Sequence, residues 1–129
     1  MFGMGTVMEP SKRMQFRAQM TRTAIKNLVE DANRFPRAYD RLQQLRRINP
    51  SADPYYKDWE IILDGVFSAL VARSIKDLKE SLADIVLLQA SRIPNLLAHS
   101  PLTVLVNDKE RNDILNAMGI GRGDPPGIL

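Results

Sequence analysis

DPYYKDWEIILDGVFSALVARSIKDLKESLADIVLLQAS, residues 53–91, contains no proline after Pro54 and a single glycine, Gly65. Asp53 followed by Pro54 is a strong helix start, because the carboxylate can accept from free first-turn amides and proline suits the first helical position. Trp59, Ile62, Leu63, Val66, Phe67 and Leu70 form one stripe at helical spacing. Ile75, Leu78, Leu82, Ile85 and Val86 form a second, turned about a third of a revolution from the first. Two readings stay open: one long helix that meets different neighbours along its length, or two helices broken near Ser74, where Ser74 and Asp77 have capping-box spacing. Either reading makes the fold class all-α. The expected core is Trp59, Phe67, Leu70, Leu78, Leu82, Ile85 and Leu88.

Toward the amino terminus, Ser11 is placed to cap a helix in which Met14, Ala18, Thr21, Ile25, Leu28, Val29 and Ala32 recur at three- and four-residue steps. Pro36 ends it and suits the first turn of the next, where Ala38, Leu42, Leu45 and Ile48 repeat the spacing up to the Asn49-Pro50 stop. The turn-rich NPSADP, residues 49–54, marks the boundary between a basic helix pair, 11–48, and a helical bundle, 53–118. A pair with one narrow apolar stripe per helix cannot cover its own apolar surface, so it must lie against the bundle, another copy or a bound polymer. Toward the carboxyl terminus, Pro94 and Pro101 bracket a short helical turn. LTVLV, residues 102–106, fits either a short strand or buried helix. A last helix runs from Asp108, its expected cap, to Met118 before the Gly119 stop. Residues 1–10 form an apolar arm and 119–129 an extended tail.

At 129 residues the chain has the length of one domain. It has no cysteine, which excludes disulfides and thiol chemistry, and its lone His99 excludes a histidine-rich metal site within one chain. No cofactor is called for. No apolar run approaches the roughly 18 residues of a membrane span, and the start lacks the pattern of a signal peptide, so a virion or intracellular location is expected rather than secretion. Arg122-Gly123-Asp124 spells an integrin-recognition tripeptide by chance in a chain without secretion signals, and Asp58, Glu60 and Asp64 are spread around a helix as a solvated acidic face.

The charge is lopsided. Residues 1–49 hold ten basic and four acidic side chains, a balance of +6, whereas residues 50–129 hold eight and eleven, a balance of −3. Grouping like charges on one segment points to a polyanionic partner. Arginine outnumbers lysine eight to two in the basic segment, and its planar fork binds phosphate oxygens in pairs without reading bases. The expected nucleic-acid-binding residues are Arg13, Arg17, Arg22, Lys26, Arg37, Arg41, Arg46 and Arg47. Phe16, Phe35 and Tyr39 lie among them and either stack on bases or join the core. If about six of these cations neutralise phosphates, the binding constant falls with salt at a log-log slope near −5 for duplex DNA.

SKRMQFRAQMTRTAIK, residues 11–26, and PRAYDRLQQLRR, residues 36–47, ahead of a helical remainder, give a layout that resembles the helical coat (nucleocapsid) proteins of filamentous archaeal viruses. The resemblance implies a non-enzymatic structural protein that self-assembles around nucleic acid, duplex DNA in particular, with other copies or a homologous subunit. In the second alternative the basic helices dock on an acidic protein, as in an adaptor or accessory subunit. A third is enzymatic: Arg92 and His99, with NLLAH over residues 95–99, resemble the signature of HEPN ribonucleases, in which histidine is acid or base on a 2′-hydroxyl and arginine stabilises the phosphate. Pro94 between the two, and Ile93 where that family carries a polar residue, depart from the signature.

Overall fold

In the computed structural model the described residues are 10–72 and 78–119, with side chains from 12–72 and 82–119. Every regular element among them is helical. They are five α-helices, α1 (Pro10–Glu30), α2 (Phe35–Ile48), α3 (Asp53–Ala72), α4 (Leu78–Ser91) and α5 (Asp108–Ala117), with short 3-10 turns at Ala32–Arg34 before α2, Pro50–Ala52 before α3, and Leu96–His99 and Pro101–Leu105 between α4 and α5. The described residues of the 53–91 stretch form two helices, α3 and α4. Ser74 and Asp77, the expected capping box, lie outside the described residues, as do the arm up to residue 9, the tail from residue 120 and the Arg122-Gly123-Asp124 tripeptide.

Local signals explain most boundaries. Proline at the second position of α2 fixes φ where no intrahelical donor is needed, and Asp31 caps the preceding turn by accepting from the Asn33 amide. Gly119, at φ 74°, takes the left-handed turn after α5 that glycine enters without a Cβ clash. Three caps differ from expectation. α3 begins at Asp53 itself, which is helical and gives its carboxylate to Arg46 and Lys57, so Pro54 takes the second helical position. α1 already begins at Pro10, so Ser11 is inside it. α5 is capped by Asn107, not Asp108: Asn107 Oδ1 accepts from the Glu110 amide at 2.7 Å while Glu110 Oε1 accepts from the Asn107 amide at 3.0 Å. The LTVLV ambiguity resolves to a 3-10 turn with Leu102 and Leu105 buried.

The basic helices and the bundle share one apolar core. α1 packs on α4, α5 and the 101–105 turn; α2 packs on that turn and on α3. Ile25 and Leu28 of α1, Leu42 of α2, Trp59 and Leu63 of α3 and Leu102 are all fully buried in a single cluster. The NPSADP segment is therefore a turn between packed helices and does not divide the core. Burying each such side chain contributes about 1.5–3 kcal/mol. Of the expected core, Trp59, Leu70 and Leu82 are buried, whereas Phe67, Ile85 and Leu88 are 51%, 53% and 58% exposed. The reason is register: α3 turns positions 59, 62, 63, 66 and 70 inward, and α4 turns 82, 83, 86 and 90 inward. Positions 67, 85 and 88 fall on the flanks. Leu78's side chain lies outside the described set.

Candidate nucleic-acid interface

The loop after α4 builds the candidate site. Asn95, the one described non-glycine residue with positive φ, at 67°, reverses the chain into the 96–99 turn. Ser100 then caps the 101–105 turn, its Oγ accepting from the Leu102 amide at 3.1 Å. Three helices pin this loop through its carbonyls. Trp59 Nε1 of α3 donates to Leu96 O at 2.8 Å, Asn27 Nδ2 of α1 to Leu105 O at 2.9 Å, and Arg37 Nη2 of α2 to Val104 O at 3.2 Å. The buried Asn27 amide also donates to the Glu110 carboxylate, at 3.1 and 3.2 Å to its two oxygens, which ties α1 to α5. No described buried side-chain polar atom is left without a partner.

Between this loop, α1 and α2 lies a partly open cavity of about 270 Å³. Phe16, Arg17, Met20 and Thr21 line it from α1, Arg41 and Leu45 from α2, Tyr56 from α3, and Leu97 to Ser100 with Thr103 from the loop. No aspartate or glutamate is among the lining residues. Arg17 is on the same helical stripe as Thr21, Ala24 and Leu28, where the inward face of α1 runs beyond the core. Arg41 Nη1 donates to Gln44 Oε1 at 2.7 Å, one turn along α2. A neutral acceptor orients the guanidinium and leaves its charge uncompensated. His99 stacks on Tyr55, ring centroids 4.4 Å apart, and meets Tyr56 edge-on at 5.7 Å.

The eight expected binding residues do not form one continuous face. Arg46, on the α3 side of α2, is clamped by two carboxylates: Nε lies 3.2 Å from Asp53 Oδ1 and Nη1 3.4 Å from Glu60 Oε1. On the side of α1 away from the cavity, Arg22 pairs with Asp84 of α4 at 2.9 Å and Lys26 with Glu30 at 3.8 Å. Glu60 is accordingly a partner of Arg46 rather than a member of a solvated acidic face. Arg13 is half-buried one turn before Arg17, and Arg47 is exposed on the outer face of α2. Among the described residues no carboxylate pairs with Arg17, Arg37, Arg41 or Arg47.

The aromatic expectations divide in the same way. Phe16 lines the cavity, whereas Phe35 packs at the core edge with its ring 5.2 Å from Phe67, and Tyr39 also packs against the core. α4 ends at Ser91, so Arg92 and His99 do not share a helix, and Arg92 is not among the residues lining the cavity with His99. The described residues contain no cluster of three or more metal-ligating acids or histidines, and no described helix is long and apolar enough to cross a membrane. The cavity's loop wall was not read from the sequence. The available signal was the Pro94 and Pro101 pair, which forces a compact connection after α4, with Ser100 placed to cap it.

No known protein family, characterised protein or solved structure matches this chain.

Proposed function

We propose that this is a non-enzymatic protein of the nucleic-acid-packaging type, which holds a phosphate backbone on Arg17, Arg37, Arg41 and Arg47 and associates with further copies of itself. The observation that carries the reading is the presence of Arg17 and Arg41, from different helices, in the lining of one cavity that contains no carboxylate. Like charges grouped without counter-charge are stabilised by an anion between them, and the arginine fork matches phosphate oxygens in pairs. Arg37 is one turn before Arg41, about 6 Å along the helix axis, and extends the track along α2. Its bond to the Val104 carbonyl orients it without cancelling its charge.

The internal ion pairs narrow the interface. Arg22, Lys26 and Arg46 already meet carboxylates and Arg13 is not free, so roughly four cations, not six, are available to phosphates. Log-log salt dependence near −3.6 is expected for duplex DNA and near −2.8 for a single strand. Fluorescence anisotropy with a labelled mixed-sequence oligonucleotide measures this directly. Absence of binding, or binding indifferent to salt, rules the reading out, and a discrete complex with an acidic protein in its place supports the adaptor alternative. Self-association draws on Phe67 and Val71 of α3 and Ile85 and Leu88 of α4, which are large, apolar and more than half exposed. Negative-stain imaging with and without DNA separates filament from monomer.

A further inference from the structure

We infer that the cavity holds one unpaired nucleotide, its phosphate on Arg17 and Arg41 and its base against the apolar and aromatic wall, so that the protein prefers a single strand to a duplex. The inference rests on the proposed function and specifies the form of nucleic acid. At about 270 Å³ the space takes one planar ring with its sugar and phosphate. It does not take a helix of paired bases.

The wall has two chemistries. Arg17 and Arg41 supply positive charge, and Phe16, Met20, Leu45 and Leu97 supply an apolar surface beside it. An inorganic phosphate satisfies the first and leaves the second wet; an uncharged apolar ligand does the reverse. A phosphate joined to a flat heteroaromatic ring satisfies both. Paired bases are stacked inside a duplex and present neither face nor edge to such a site, whereas single strands offer splayed bases to aromatic and arginine surfaces. The cavity is also built before the ligand arrives. Trp59, Asn27 and Arg37 hold the loop that forms its outer wall, so little ordering accompanies binding. Tyr55 covers one face of the His99 ring and does not line the cavity, so the imidazole meets the cavity by its edge or its other face.

Two features make the test clean. Ala98 and Thr103 line the cavity and are exposed, so Ala98→Trp and Thr103→Trp fill it from its rim without removing a core side chain or a charge. His99 is the chain's lone histidine, which gives one assignable imidazole signal at the cavity wall. The experiment compares a single-stranded oligonucleotide with its own duplex against the full chain at matched salt. Wild type is expected to favour the single strand by about tenfold, within the range one stacked base supplies. Both tryptophan variants are expected to lose that preference, binding the single strand no better than its duplex. In a parallel proton NMR titration, AMP is expected to move the His99 ring signals, and inorganic phosphate at equal ionic strength to leave them in place. Equal affinity for the two strands in wild type, or a preference that survives in both variants, overturns the inference while the proposed function stands. Failure to bind either oligonucleotide overturns the proposed function itself.

Discussion

Arg41 and Arg46 are five residues apart on one helix and meet opposite fates. Arg46 faces α3, where Asp53 and Glu60 close on it and its side chain is 21% exposed. Arg41 faces α1 and the 96–105 loop, is oriented by the neutral Gln44, and lines a cavity without a carboxylate. The difference shows that a basic sequence segment contains two populations of charge. One holds the helices together, and the other is left for a partner. Which population a residue joins is decided by the element packed against it, here an acidic helix start on one side and an uncharged loop on the other.

The comparison breaks most visibly if the two cavity arginines are removed together. Arg17→Ala with Arg41→Ala should lower nucleic-acid affinity roughly a hundredfold, two charge-assisted contacts at about 1.5 kcal/mol apiece, and change unfolding free energy by less than about 0.5 kcal/mol. Anisotropy and urea titrations read the two effects separately. Arg46→Ala should do the reverse. It strands Asp53 and Glu60, both more than a third exposed, so stability should fall by about 1 kcal/mol with oligonucleotide affinity unchanged. A drop in affinity with no loss of stability would place Arg46 in the wrong population. The smallest effect belongs to Arg22→Ala with Lys26→Ala, exposed pairs that contribute about 0–1 kcal/mol each, and the salt slope should stay as in wild type.

Much of the fold was legible because its signals are local. Asp53-Pro54, Asn49-Pro50 and Gly119 mark the helix ends, and Trp59 is the buried centre that its stripe implied. The α5 cap was legible and misassigned, since Asn107 and Glu110 have capping-box spacing one residue ahead of Asp108. Non-local facts were not legible. Periodicity places Phe67, Ile85 and Leu88 near an apolar stripe and cannot say how wide a stripe the neighbouring helices cover. Arg46 finds Glu60 fourteen positions away only because α2 and α3 pack side by side. The eight candidate cations look equivalent in sequence, and only the carboxylates of α3 and α4, with Glu30 in α1, separate Arg22, Lys26 and Arg46 from Arg17, Arg37, Arg41 and Arg47. The cavity depends on a loop that returns over α1 and α2, and nothing in the basic segment announces that return.

The most direct measurement is the salt dependence of oligonucleotide binding between roughly 50 and 200 mM salt, for wild type and for the Arg17→Ala/Arg41→Ala variant. A wild-type slope of about −2.8 to −3.6 that becomes shallower by about 1.4 to 1.8 in the variant is the predicted result, since two phosphate contacts are lost. A wild-type slope that the double substitution leaves unchanged would contradict the account.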